Sequence, residues 1–275
     1  MNAALTVIKE QVKHFYLIKR LSIYEMKNRN QSNYLGMAWE LINPGIQMLI
    51  YWFVFGALRD RDDVHVAPGV EPNFLFWLLG GFIVWIFFFK STIDGSKSIY
   101  SRLKLLSKMN FPMSIIPNLA IFSRFYIHLM LLGIVIIIFH FAGYFVNIYY
   151  LQLIYFMFAS YCFIFALSLI ISTLSTIIRD VHMFLSSTLR MALYFSGVLW
   201  PFSILDRFPD FVPELMKLNP IYYLISGYRA ALFGTEWYFI TNWEYTLLFW
   251  AVTIILFLIG AKIHVKFRRH FIDFL

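Results

Sequence analysis

Residues 31–56 read QSNYLGMAWELINPGIQMLIYWFVFG, and this stretch decides how the rest of the chain is read. It follows a basic, amphipathic N-terminal segment and passes without a break into a long apolar run. A polar-to-apolar change of that kind marks a chain leaving a membrane surface and entering the bilayer. The run has the length of a spanning-helix candidate. Glu40 lies near its start, as does Pro44, where a helix best tolerates a missing N–H. Everything downstream reads as further helices packed beside this one.

Composition supports the same reading. The 275 residues are 60% hydrophobic and only 14% charged. Soluble domains carry about 25% charged residues, so this chain cannot cover a water-facing surface. The net charge of +8 does not indicate nucleic acid, because the basic residues sit in short segments between apolar runs, as topology signals do. Cys162 is the single cysteine, which excludes a disulfide framework within the chain and argues against a cysteine metal site. The first 30 residues lack an apolar h-region, so no cleavable signal peptide is expected.

Working outward, residues 3–25 place Leu5, Ile8, Val12 and Phe15 at helical spacing, with Lys9, Lys13 and Arg20 elsewhere on the wheel. This suits a helix lying in the membrane interface rather than a solvated one. The expected spans are 37–58, 74–91, 114–141, 149–177, 183–200 and 245–261. Between them lie a proline-containing loop at 59–73, a polar basic segment at 92–112, a tight break at 142–147 and the step Arg179-Asp180. Residues 201–242 carry Pro201, Pro209, Pro213 and Pro220 among apolar clusters too short to span. They read either as re-entrant segments or as an outer loop.

Lys and Arg number six in residues 1–36, five in 90–112, one at Arg179 and four in 262–275, giving sixteen on one side of the membrane. The other side has five, among them Arg207 and Arg229, together with eight acidic residues. The positive-inside rule then places both termini in the cytoplasm of a multi-pass cell-membrane protein.

No catalytic constellation stands out. The phosphate-binding GxxxxGK[ST] and the metal-binding HExxH are both absent, and the seven histidines are scattered. Uphill transport would therefore need an ion gradient or a separate ATPase. Glu40, Asp94, Asp180 and Glu244 each lie near a span end, whereas Arg124 and Arg190 fall several residues inside spans. Such arginines either snorkel or bond carbonyls, or meet an anionic substrate such as a phosphate. Trp39, Tyr51, Trp52, Trp77, Trp85, Tyr194 and Trp200 read as interface belts and packing, or as stacking faces along a glycan path.

The ordered motifs carry a family resemblance. Tyr34-Leu35-Gly36, Trp39, Asn43-Pro44 and the run to Phe55-Gly56 resemble the opening of polysaccharide-exporting type-2 ABC permeases. The likeness continues through Trp85, Gly95-Ser96, Ser98-Ile99, Lys108-Met109 and Phe111-Pro112-Met113-Ser114. It ends with Arg179-Asp180-Val181, Trp200-Pro201, Asn219-Pro220 and Gly227-Tyr228-Arg229. Residues 95–114 most resemble wall teichoic acid translocation permeases of Gram-positive bacteria, and permeases for O-antigen or capsule are close relatives.

The resemblance implies an all-α integral membrane fold and a single transmembrane domain over 1–275. That domain comprises an interface helix and linker at 1–36, spans one to five at 37–200, re-entrant helices between spans five and six at 201–242, and span six with a cytoplasmic tail at 243–275. It implies a homodimer sitting on two copies of an ATPase subunit that binds ATP and Mg, with no cofactor held by this chain. The substrate would be a polymer on undecaprenyl diphosphate. Channel and cytoplasmic-mouth candidates are Arg29, Tyr34, Trp39, Tyr51, Trp52, Arg124, Arg190, Tyr194 and Trp200. Candidates for ATPase contact are Lys9, Lys13, Arg20, Ser98, Arg102, Lys104 and Lys108. Export of a drug or small lipid, a membrane-embedded glycosyl- or phospho-transferase, and a transport-inactive scaffold are the competing readings. The transferase would need acids or histidines clustered at an interface.

Overall fold

The computed structural model describes residues 3–29, 31, 33–59, 64–103, 111–201, 209 and 211–274. Among the described residues the fold is all-helical and no named strand forms. In chain order the helices are α1 (Ala3–Lys13), α2 (Phe15–Asn28), α3 (Trp39–Phe55), α4 (Phe74–Lys97), α5 (Ile115–Phe141) and α6 (Gln152–Ile177). Then come α7 (Asp180–Phe195), α8 (Phe211–Lys217), α9 (Pro220–Phe233), α10 (Tyr238–Thr241) and α11 (Trp243–Phe267), followed by a 3-10 segment, Arg268–Phe274.

Among the described residues four segments are long and apolar enough to cross a membrane: Phe74–Lys97, Ile115–Phe141, Ile148–Ile177 and Trp243–Phe271. The expected first and fifth spans are shorter. Helix α3 has 17 residues and α7 has 16, so they reach roughly 26 and 24 Å against a hydrocarbon core of roughly 30 Å. Their ends explain the shortfall. Gly56 turns the chain after α3, and α7 stops at Phe195 rather than 200 while carrying Asp180, His182 and Arg190. Helix α4, expected to end at 91, instead continues to Lys97. Gly95 permits the extension, since a Cβ there would lie 2.4 Å from Ser168 Oγ on α6.

Helix α4 is the central element, packing against α3, α5, α6, α7 and α9. Its Trp77, Leu78, Phe82, Val84, Trp85, Phe87 and Phe88 are all buried. Helix α6 packs mainly against α11, and its buried face includes Ala159, Ser160, Ser168, Ser172 and Thr173. Small residues let membrane helices approach closely, where dispersion rather than water exclusion drives association. The hydroxyls of Ser160, Thr173 and Thr176 return to carbonyls of their own helix, whereas those of Ser168 and Ser175 are buried without a hydrogen-bond partner among the described residues.

The N-terminal amphipathic segment is two helices, broken at His14. Helix α1 buries Ala4 and Val7 against Leu169 and Ala261, while α2 packs on α5. Leu5, Ile8 and Val12 are exposed, and Phe15, also exposed, meets Phe122 of α5 edge-on with ring centroids 6.0 Å apart. Glu10 accepts hydrogen bonds from Ser114 Oγ and from Arg268 Nη1, the latter at 2.7 Å. The basic C-terminal segment is therefore tied in, and Phe271 is buried beside Ile99, Leu103 and Ile116.

Between α7 and α11 the two expected short apolar clusters form one helix, α9. Asn219 caps it by accepting from Ile221 N, and Pro220 occupies its first turn. Helix α9 is buried along most of its length, against α4 and α6. Gly227 makes this possible, because a Cβ there would lie 2.1 Å from the Phe156 ring. The substitution Gly227→Ala is expected to destabilise the protein by about 1–3 kcal/mol through overpacking. Thermal unfolding in detergent measures this, and Phe156→Leu in the same chain should recover part of the loss.

Candidate functional site

A buried ionic cluster joins α2, α3, α4 and α5 at the end of the bundle that carries α1 and α2. Its members come from separate local rules. On α4, Lys90, Asp94 and Lys97 recur at i, i+4 and i+7, which puts them on one helical face. Glu40 sits in the first turn of α3, where a carboxylate suits the positive end of the helix dipole. Arg29 follows the last residue of α2 as its C-cap.

Arg124 of α5 occupies the centre. Its Nε donates to Asp94 Oδ2 at 2.6 Å, and Nη1 lies 2.9 Å from both oxygens of Glu40. Arg29 Nη1 donates to the same Asp94 oxygen at 2.5 Å, and Arg29 Nη2 to Ser123 Oγ at 2.9 Å. Lys90 Nζ donates to Glu40 at 2.9 Å, and Lys97 Nζ lies 3.2 Å from Asp94 Oδ1. A peripheral pair extends the cluster, with Arg102 Nη2 lying 2.7 Å from Glu25 Oε1. Five cations thus share three carboxylates, and the cluster is net positive.

The core side chains Arg29, Glu40, Asp94 and Arg124 are only 10–15% exposed. At that depth an unpaired charge is costly, and mutual hydrogen bonding is what makes burial tolerable. The sequence reading found few internal partners for Arg124. The structure supplies two, Glu40 and Asp94, each of which had been noted only as lying near a span end. The readable signal was the Lys90–Asp94–Lys97 face, three charges on one side of an otherwise apolar helix.

The other channel candidates disperse. Tyr34 is fully exposed, and Trp39 is half-buried at the start of α3. Tyr51 meets Phe82 edge-on, with ring centroids 5.5 Å apart, and Trp200 meets Phe55 at 4.9 Å. Trp52 is half-buried against the core. Arg190 is exposed on α7, with Nη2 3.3 Å from Ser186 Oγ, and Tyr194 is exposed on the same helix. Arg190 and Arg124 therefore occupy unlike settings. Among the proposed ATPase-contact residues, Lys9, Lys13 and Arg20 are exposed. Ser98 is instead fully buried, with its hydroxyl donating to Gly95 O at 2.7 Å, because the chain continues helically past Lys97. Lys104 and Lys108 lie outside the described residues.

One buried cation escaped the sequence reading. Arg229, counted as a charge on the outer side, lies inside the bundle on α9. Its Nε donates to Trp77 O at 3.1 Å, Nη1 to Gly197 O at 2.8 Å and Nη2 to Val198 O at 3.0 Å. The guanidinium also stacks 3.5 Å from the Trp77 ring centroid. Nearby, His128 Nε2 and Tyr228 OH lie 2.9 Å apart. Among the described residues no group of three His, Cys, Asp or Glu gathers as a metal site would need.

Residues 16–233 match the family described as ABC-2 type transporter. The chain is 24% identical over 268 residues to the O-antigen export system permease protein RfbA of Myxococcus xanthus, covering 97% of this chain and 98% of that one. It is also 24% identical over 262 residues to the protein of the same name from Klebsiella pneumoniae, covering 95% of each.

Arg124→Ala is expected to destabilise the fold by about 3–5 kcal/mol, since it strands two buried carboxylates among fewer cations. Arg190→Ala should leave folding intact. Detergent melting curves compare the two directly. Unchanged folding together with unchanged transport in Arg190→Ala would remove that residue from any substrate path.

Proposed function

Because the chain belongs to the ABC-2 type transporter family, we propose that it is the membrane-spanning permease of an ATP-driven exporter of a lipid-linked polysaccharide of the O-antigen kind. The observation that carries this reading is the end-to-end similarity to two O-antigen export permeases, with no large unmatched region on either side. The relatives favour O-antigen over the wall teichoic acid suggested by residues 95–114. Teichoic acid remains the second reading on the strength of that stretch.

Permeases of this family work with a separate ABC ATPase, which agrees with the lack of a phosphate-binding loop in this chain. We assign two ATPase copies to two copies of this permease, which together push the undecaprenyl-diphosphate-linked polymer outward. The apolar faces of α3 (Ile46, Leu49, Ile50, Phe53) and α7 (Met183, Phe184, Met191, Phe195) are exposed in the single chain, and a second copy would cover them. Six spans, cytoplasmic termini and a re-entrant α8–α9 pair fit this reading. On that count α3 and α7 are the two short spans, and α9 is held within the outer half of the bundle by α4, α6 and Arg229. A guanidinium-bearing mouth is suited to a diphosphate, whose oxygens accept paired N–H donors.

Conditional depletion of this protein should trap lipid-linked polymer inside the cell while the surface loses it. Fractionation followed by repeat-unit analysis reads the outcome. A trapped polymer with a purely saccharide repeat supports O-antigen, and a phosphate-rich repeat moves the assignment to teichoic acid. Unchanged surface polymer overturns polysaccharide export.

A further inference from the structure

Residues 99–103 continue helically beyond α4 and divide into two faces. Ile99 and Leu103, one turn apart, are buried, whereas Ser101 is exposed and Tyr100 and Arg102 are half-buried. The buried pair packs with Ile116 of α5 and with Phe271, a fully enclosed ring from the segment after α11. Phe111, Met113 and Phe267 pack around the same cluster. Phe271 is thus a floor beneath the 99–103 turn.

That floor is itself anchored. The Phe271 ring meets His264 edge-on, with centroids 5.7 Å apart. The Thr173 hydroxyl donates to Leu169 O at 2.9 Å, so its oxygen accepts from His264 Nδ1–H, also at 2.9 Å. Arg268, one 3-10 turn before Phe271, donates to Glu10 of α1 at 2.7 Å. Residues 100–102 and the Arg268–Phe274 segment both pack on α6. The 99–103 turn, the close of α11 and the close of α6 therefore form one packed unit, built without Arg124.

We propose that Phe271 is a positioning residue for the surface through which this chain meets its ATPase subunit. It holds residues 99–103 helical, so that Tyr100, Ser101 and Arg102 present a fixed outer face. A load on that face passes through Phe271 and His264 into α11 and α6. The coupling to an ATPase rests on the exporter reading above, whereas the support of residues 99–103 by Phe271 stands without it.

Two readouts separate these. Hydrogen exchange with mass spectrometry, on the full chain in detergent, follows the amides of Arg102 and Leu103, which bond the carbonyls of Ile99 and Tyr100. Phe271→Ala should speed their exchange about tenfold or more through loss of a buried ring, while α4 amides between Leu78 and Phe87 keep their rates. Phe271→Leu should recover most of the protection. Arg269→Gln, at an exposed position in the same segment, should change nothing. If Phe271→Ala does not fold, Arg268→Gln carries the comparison, because it removes only the tie to Glu10 and should speed the same amides. Unchanged exchange at Arg102 and Leu103, or equal acceleration along α4, overturns the proposal.

The second readout is the affinity of the ABC ATPase subunit that co-purifies with the wild-type chain, titrated against each variant in nanodiscs. Affinity should fall about tenfold in Phe271→Ala and return in Phe271→Leu, since a loosened surface must be ordered on binding. Unchanged affinity despite faster exchange overturns the positioning role. A wild-type chain that binds no ABC ATPase overturns the exporter reading and the coupling with it, and the exchange result then stands alone.

Discussion

A buried positive charge in a membrane protein must be matched at its own depth, and the pairing of Arg124 with Glu40 and Asp94 meets that demand. The three residues come from α5, α3 and α4, so one guanidinium fixes the relative positions of three helices. Apolar packing sets register only where a ring meets a glycine, as at Phe156 and Gly227. Elsewhere in lipid it rests on dispersion alone, without a hydrophobic gain from burial. An arginine between two carboxylates cannot slide without exposing a charge to hydrocarbon, which costs several kcal/mol. The rest of this end of the bundle follows. Arg29 brings the close of α2 onto Asp94, and Lys90 holds the start of α3 through Glu40.

This arrangement has a mechanical consequence. The segment after Lys97 is joined to α2 through Arg102 and Glu25, and α2 is joined to the core through Arg29. A push on residues 98–103 therefore reaches α2 directly and reaches α3 through the Asp94–Arg124–Glu40 chain. A family of transporters whose energy source lies on another subunit needs rigid elements of this sort. Ion pairs provide stiffness, and they can also exchange partners with an arriving anion.

Legibility in the sequence depended on how local each signal was. Helices α4, α5, α6 and α11 were visible because length and apolarity alone identify a span. The shortness of α3 and α7 was overlooked because the apolar runs continue past their ends, although Gly56 and the left-handed Gly197 mark the breaks locally. The prolines of 201–242 read as breaks between two short clusters, whereas Asn219-Pro220 caps a single helix, α9, that joins them. Whether a short apolar helix is buried depends on partners such as Phe156, which must meet a glycine. For the candidate site, Arg124 stood out as a cation inside a span and Arg29 as a mouth candidate, and the two converge on Asp94. Asp94 left a local trace in the Lys90–Asp94–Lys97 face, whereas the pairing of Arg124 with Glu40 across 84 residues leaves none. Arg190 looked equivalent to Arg124 in the sequence, yet it faces outward from α7.

Arg229 draws all three of its carbonyl partners from residues earlier in the chain, Trp77, Gly197 and Val198. During synthesis the ribosome therefore delivers the socket before the ion that fills it. Helix α9 is then the keystone of its half of the bundle, seated last among α4, α6 and the close of α7. Quality control that samples the nascent protein would find this half open until residue 229 has emerged.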